Sequence, residues 1–281
     1  MKTELKLART LHFDPNMEIL TAFFIFLFGA AIGSFLNVVI LRTHAGKSFD
    51  GRSECPNCKH QLAVLDLIPI LSYLLLSGKC RYCKRKLSFQ YPLVELLTAV
   101  SFTLVFLSQI SSLLNPFFLL TFAFLLFVVS VLIVISVYDL RWGIIPDKII
   151  IPASIAAFLY QLVFNLILVQ NYKLLIINLA LAFGISVFFF LIILVTRGRG
   201  MGGGDFKLSI FIGLALGWPL ALVAIFLGFL TGALAAVMLI LLGKKSFKQT
   251  VPFGPFLALG ALLTILVGKE ILELYLKSMG L

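Results

Sequence analysis

Charge is what this sequence has least of. Only 12% of its 281 residues are Asp, Glu, Lys or Arg, about half of the ~25% found in ordinary soluble domains. Polar helix faces are scarce as well. Apolar runs of roughly 20 residues recur with almost no polar positions inside them, which argues against one large soluble helical core. The first run, Ile19 to Leu41, lacks a small-residue cleavage site and is too long for a signal-peptide core, so it is expected to remain as a helix. No Gly-Lys-Ser/Thr follows the glycine stretch at 200–204 and no strand precedes it, which argues against a phosphate-binding loop. No inverted repeat is apparent.

What is abundant is hydrophobicity, at 61% of residues. The long runs each match a bilayer core of ~30 Å. They predict an all-α polytopic membrane protein with about eight transmembrane helices. The expected spans are Ile19–Leu41, Leu93–Ile110, Phe117–Val137, Ile149–Leu168, Leu174–Val195, Leu208–Leu216, Pro219–Leu242 and Phe256–Val267. The sixth is short, either a half-length helix or one that merges with its neighbour around Gly217-Trp218-Pro219. With the N-terminus outside, seventeen of the 23 Lys+Arg fall in inside segments, including Arg42, Lys59, Arg81, Arg141, Arg197, Arg199, Lys244, Lys245 and Lys248. Lys2, Lys6, Arg9, Lys173, Lys269 and Lys277 fall outside. Basic residues gather on the cytoplasmic side, so the net charge of +11 describes a face beside anionic lipid headgroups. It does not call for nucleic acid as a partner.

One long polar segment interrupts the hydrophobic runs, between the first two spans. It carries all four cysteines, as Cys55-Pro-Asn-Cys58 and Cys80-Arg-Tyr-Cys83. Two C-x-x-C turns 21 residues apart fit a zinc ribbon, each turn supplying two thiolates to a tetrahedron. A pair of disulfides or a redox motif is the alternative, and the reducing cytoplasmic side disfavours the disulfides. Four protein ligands leave no open position, so the metal's role would be structural.

Acidic residues number 12, and from Glu95 to Asp205 they are only Glu95, Asp139, Asp147 and Asp205. Asp139 sits at the inner end of the third expected span and Asp205 opens the sixth, which brings both to one membrane level. Carboxylates at membrane depth are costly unless they face a wet, functional interior. Two at one site titrate as a coupled pair, one acting as base on water and the other as acid on a carbonyl. That is the arrangement of an aspartic protease. Pro146 predicts a short loop between Asp139 and Asp147. Gly202, Gly203 and Gly204 would let a substrate backbone approach Asp205. Asp147 also fits a plain helix cap, Asp139 a charge paired with Arg141, and the glycines a flexible linker. Carboxylates lining an ion path would instead mark a transporter, but these lie at the inner rim rather than the midplane. A scaffold docking through the cysteine loop would tolerate loss of both aspartates.

In these residues the sequence resembles the type IV prepilin peptidases, presenilin-like membrane aspartic proteases. The resemblance runs through Gly33-Ser-Phe-Leu-Asn-Val-Val-Ile40 with Arg42, the first C-x-x-C, and Asp66-Leu-Ile-Pro-Ile-Leu-Ser-Tyr73. It continues through the second C-x-x-C, Tyr91-Pro-Leu-Val-Glu95, Tyr138-Asp139, Ile145-Pro-Asp147 and Gly202-Gly-Gly-Asp-Phe-Lys-Leu208. It implies a bifunctional enzyme of the bacterial cytoplasmic membrane. Such an enzyme cleaves the leader of type IV prepilins or type II secretion pseudopilins at the cytoplasmic face, after a glycine. It then methylates the new N-terminal residue with S-adenosylmethionine. By the same resemblance Asp139 and Asp205 are catalytic, Asp147 and Lys207 are accessory, and Glu95 is a methyltransferase candidate or a buried structural partner. Partners are then prepilins or pseudopilins and membrane lipids, and cofactors are one structural Zn2+ and S-adenosylmethionine.

The implied organisation is a short extracytoplasmic N-terminus at 1–18, a first transmembrane helix at 19–42, a cytoplasmic zinc-ribbon-like, methyltransferase-associated loop at 43–90, and a transmembrane peptidase domain at 91–281. Gly29/Gly33 and Gly228/Gly232 form G-x-x-x-G pairs, which mark close helix packing or merely the frequency of glycine in membrane helices. Pro252, Gly254 and Pro255 are expected to break the start of the last span and leave backbone groups free near the active site.

Overall fold

The computed structural model describes residues 15–198, 201–243 and 252–279. Most of the expected N-terminal segment, and Gly200, Arg199, Lys244, Lys245 and Lys248 among the expected inside residues, lie outside the described residues. The described residues form α1 (Pro15–His44), α2 (Leu71–Leu75), α3 (Gln90–Gln109), α4 (Phe118–Trp142), α5 (Asp147–Leu162), α6 (Tyr172–Val195), α7 (Gly203–Leu216), α8 (Leu220–Leu241) and α9 (Gly254–Ser278), with short 3-10 turns and no β-strand. Seven of these are long and apolar enough to cross a membrane: α1, α3, α4, α5, α6, α8 and α9. Large apolar side chains such as Phe24, Phe28, Leu107, Phe183, Phe190 and Phe226 are exposed along them, as helices facing lipid require.

The sixth expected span is α7. Its 14 residues rise ~21 Å, short of the ~30 Å core. It does not merge with α8, because Gly217 takes φ +65° and Pro219 follows. Other spans also depart from the hydropathy pattern, the fourth and the last among them. The fourth span leaves the α conformation at Val163 and finishes as a π turn, Val163–Leu168. The last begins at Gly254 and runs past Val267, which is a non-helical kink (φ −134°, ψ 15°), to Ser278. Hydropathy reads only the apolar part. Glu270, Leu274 and Lys277 beyond it are good helix formers.

The chain divides into two compact units, Met1–Ser130 and Val131–Leu281. In the first, α1 packs on α3 with backbones touching. A Cβ at Gly29 would lie 2.8 Å from the Ala99 Cα, and one at Gly33 would lie 2.6 Å from the Glu95 Cα. This contact draws α3 into the first unit, whereas the sequence division falls at 90/91. The second unit uses the same device. A Cβ at Gly213 would meet the Ala182 Cα at 2.7 Å, one at Gly228 the Leu257 Cα at 3.1 Å, and one at Gly260 the Ala224 carbonyl. Removing a side chain where helices cross lets their dispersion contacts build up without a hydrophobic driving force.

The C-terminal end of α7 would leave carbonyls unsatisfied inside an apolar bundle. Three buried amides meet it there. Gln161 Nε2 donates to the Leu214 carbonyl at 2.8 Å, and Asn178 Oδ1 accepts from the Trp218 amide at 2.9 Å. Asn178 Nδ2 and Asn165 Nδ2 both donate to Gln161 Oε1, at 3.1 and 2.7 Å. The cluster anchors the short helix at the end away from Asp205.

Candidate functional site

Asp139 lies one turn before the end of α4, which Gly143 closes in a left-handed conformation (φ +67°) while its amide bonds the Asp139 carbonyl at 2.8 Å. The chain then crosses Ile144, Ile145 and Pro146 and re-enters helix at Asp147, as Pro146 requires. Asp205 sits in the first turn of α7, where the positive end of the helix dipole favours a carboxylate. Both side chains are buried, 6% and 8% exposed, and the two carboxyl groups interact electrostatically. Sixty-odd residues of chain, with two long helices, separate them in sequence.

The start of α9 packs against Asp139. The Gly254 amide donates to Asp139 Oδ2 at 3.1 Å. A Cβ at Gly254 would stand 2.7 Å from that oxygen and 3.4 Å from the Ile145 Cδ1, so glycine is required for the approach. The expectation of free backbone donors at the broken start of the last span is met by this one amide. Ile145 also packs on Gly204, whose added Cβ would meet it at 3.1 Å. Gly203 by contrast faces open space, and Gly202 holds an extended N-cap (φ −79°, ψ 152°) with its amide bonded to the Asp205 carboxylate. Of the three glycines, Gly203 alone has nothing within 4 Å of an added Cβ, and Gly204 is the one that a side chain would crowd.

Asp147 and Lys207 form an ion pair, Oδ1 to Nζ at 2.5 Å, which ties the start of α5 to the first turns of α7. Asp147 is the first residue of α5, so its carboxylate also faces the positive end of that helix. Arg141 lies 5.0 Å over the Trp142 ring.

In the first unit the two C-x-x-C turns are near copies. The Cys55 amide bonds the His60 carbonyl and the Lys59 amide bonds the Cys55 carbonyl; Cys80, Arg85 and Lys84 repeat the pattern. Lys59 and Lys84, each following the second cysteine, both take φ +59°. All four Sγ atoms lie within 4.8 Å of one another, and Cys55 and Cys83 are 3.9 Å apart. A disulfide needs ~2.05 Å, whereas a tetrahedron of Zn–S bonds of ~2.3 Å sets sulfurs ~3.8 Å apart. The four sulfurs therefore fit a metal ion and not a pair of bridges. Burial would push the Cys55 thiol up, but the Cys58 and Asn57 amides and the neighbouring thiols bring it down to about 7.

Two further groups order this loop, and spacing gave no signal for either. The Arg42 guanidinium donates to the carbonyls of Ser48, Phe49, Asp50, Gly51 and Arg52. Asp66 accepts from the Ala63 amide, Arg81 and the Tyr82 hydroxyl; burial alone would raise its carboxyl, but these donors hold it below the ordinary range. Glu95, 7% exposed, accepts from the Ile70 amide at 2.7 Å and from Ser34. It borders a cavity of about 630 Å³ that Cys55 and Cys80 also line.

Comparison with known proteins follows the same division. A family model described as the bacterial peptidase A24 N-terminal domain matches residues 27–109, and one described as the type IV leader peptidase family matches residues 125–237. The prepilin leader peptidase/N-methyltransferase of Aeromonas hydrophila is 33% identical over 280 residues, covering 90% of this chain and 93% of the relative. Proteins of the same name from Bacillus subtilis and Pseudomonas aeruginosa are 34% and 31% identical; each alignment covers 90% of this chain, and 97% and 93% of the relative. No solved structure matches.

Proposed function

The chain belongs to the type IV leader peptidase family, and from that premise we propose that it removes the leader of type IV prepilins or type II secretion pseudopilins and methylates the residue it exposes. It is a peptidase and methyltransferase of the bacterial inner membrane, crossed several times by its apolar helices. The excess of basic residues on one side assigns the cysteine loop and the aspartates to the cytoplasmic face.

The observation that carries the peptidase reading is the pair of buried carboxylates at the ends of α4 and α7, with a backbone amide on one of them. In the proposed reaction the pair shares one proton. The ionised carboxylate takes a proton from water as the hydroxyl attacks the scissile carbonyl carbon, and the protonated partner donates to the carbonyl oxygen. The resulting gem-diol collapses, the C–N bond breaks, and a proton passes to the departing amine. Hydrogen bonding from Gly254 holds Asp139 Oδ2 in place, leaving Oδ1 for chemistry. Asp147 and Lys207 are accessory groups that tie the 143–146 loop to the start of α7, and the open side of Gly203 admits extended substrate backbone. The substrate's apolar helix lies in lipid beside the enzyme, so membrane lipids are a working partner.

The second activity we assign to the first unit. The four cysteines hold one structural Zn2+ with no open position, which orders the loop at 43–90. S-adenosylmethionine supplies an electrophilic methyl group, and Glu95 and the cysteine loop are the groups proposed to serve it.

The test is cleavage of a purified prepilin by the detergent-solubilised enzyme, with mass spectrometry of the product N-terminus in the presence and absence of S-adenosylmethionine. Wild type is expected to trim the leader and add one methyl, while Asp139→Asn and Asp205→Asn leave the precursor intact. A variant that still cleaves near the wild-type rate removes that aspartate from the dyad and makes Asp147 the next candidate.

A further inference from the structure

The loop between α1 and α3 is polar in composition, yet one stretch of it is apolar and uncovered. From Leu67 to Leu75 the chain reads Leu-Ile-Pro-Ile-Leu-Ser-Tyr-Leu-Leu. Its two polar side chains, Ser72 and Tyr73, line the cavity of the first unit, whereas Leu71, Leu74 and Leu75 do not. Leu74 and Leu75 are 65% and 75% exposed, and Leu71 and Phe89 are exposed with them. Neighbouring apolar side chains left open in this way mark a surface that something covers.

One hydrogen bond fixes how deep this stretch lies. The Ile70 amide donates to Glu95 Oε2 at 2.7 Å, and Glu95 is the sixth residue of α3. The 20 residues of α3 rise ~30 Å, about the full thickness of a bilayer core. Glu95 therefore lies ~7.5 Å inside the loop end of that span, and Ile70 comes down to it. Ile70 does so from a left-handed backbone (φ +60°, ψ −52°), which a β-branched residue disfavours. Glu95 also accepts from Ser34 of α1, so both long helices hold the contact. The five residues of α2 follow at once and rise only ~7.5 Å. They carry Leu74 and Leu75 no farther out than the start of α3, where acyl chains meet headgroups.

The chain leaves this patch through basic residues. Lys79 and Lys86 are paired through their backbones. With Lys84 and Arg85 they are exposed and make no ion pair among the described residues. Open leucines beside unpaired cations suit an interface of acyl chains and anionic headgroups. A partner helix would need apolar anchors spread over several turns, and α2 makes little more than one.

We infer that residues 67–75 are an interfacial segment, dipped into the bilayer leaflet on the loop's side and covered by lipid. The two C-x-x-C turns flank it in sequence, so it moors the cysteine loop to the membrane surface. The inference stands apart from both catalytic readings.

The test is tryptophan quenching in the full-length enzyme in lipid nanodiscs. With the two native tryptophans, Trp142 and Trp218, replaced by Phe, Leu75→Trp is the single probe. Val100→Trp, exposed midway along α3, marks the bilayer centre. Lipid brominated just below the headgroup is expected to quench Leu75→Trp at least about twofold more than lipid brominated at the chain end. The order should reverse for Val100→Trp, and aqueous iodide should quench Leu75→Trp little. Strong quenching by iodide and none by brominated lipid places the segment in water and overturns the inference. Shielding from both means that protein covers the leucines, a second copy of the chain included, and overturns it as well. The unsubstituted enzyme supplies a second measurement. A photoreactive lipid with its diazirine near the headgroup is expected to leave adducts on the peptide containing residues 67–75, and adducts confined to the spanning helices overturn the proposal.

Discussion

In the first unit a polar loop must be ordered beside two apolar helices, whereas in the second most residues are apolar and scattered polar groups must be accommodated. The loop is held by directed bonds: four clustered sulfurs, one guanidinium on five carbonyls, and an aspartate with three donors. The second unit is held by close packing at Gly213, Gly228 and Gly260; its buried Asp, Asn and Gln side chains gather near helix ends, and its buried hydroxyls, such as Ser186 and Thr264, bond carbonyls of their own helices. A loop without a sizeable apolar core relies on such directed contacts, with any metal its cysteines hold, to offset its conformational entropy. Helices already folded in lipid need mainly shape. The two units therefore have different points of failure.

The largest effect should fall on the dyad. Asp139→Asn or Asp205→Asn is expected to lower leader cleavage by about 10³-fold or more while leaving the lipid labelling of residues 67–75 in the first unit unchanged; mass spectrometry of product and of lipid adducts measures the two sides. If the aspartate variants also lose that labelling, the units are not separable.

Next comes the metal. Cys55→Ser with Cys80→Ser is expected to reduce bound zinc from about one per chain to none. Limited proteolysis should then cut within residues 45–89. Cleavage of prepilin should persist within about threefold if the second unit stands alone. A metal-free wild type with full protease resistance would sink the structural role of the site.

Gly260→Leu should destabilise the second unit by ~1–3 kcal/mol through overpacking against the Ala224 carbonyl and Gly228, read as a lower midpoint in detergent denaturation. Asn178→Leu should cost ~1 kcal/mol and lower peptidase activity, since it loosens the far end of the helix that carries Asp205.

The smallest effect concerns pH. The folded Asp66 carboxyl titrates below its ordinary value of 3.8, so its contribution is fully present above the unfolded value and is lost as pH falls through the folded one. Asp66→Asn should flatten loop stability below about pH 4 by less than ~1 kcal/mol, because Arg81 is half exposed and screened. Proteolysis rates of the loop across that range give the comparison.

Much of the site was legible in advance. Asp139 and Asp205 stand out because a carboxylate in an apolar run has few reasons to be there, and paired C-x-x-C turns at this spacing point to a candidate metal site. The amide of Gly254 was foreshadowed only as a break in a helix; that it lands on Asp139 depends on how α9 packs. Arg42 was marked only by the family resemblance and not by its chemistry, because its partners are carbonyls, which every residue possesses.

Composition and periodicity determined the membrane class, the long spans and the candidate ligands, since each follows from local side-chain chemistry. Tertiary structure decided that α7 is only 14 residues long, shorter than a bilayer core, and is closed by Gln161, Asn165 and Asn178. It also decided that α3 belongs with α1, and that Glu95 borders a cavity in the first unit with no ion-pair partner among the described residues. These outcomes depend on which backbones come within contact distance, and a short-range pattern along the chain carries no measure of that distance.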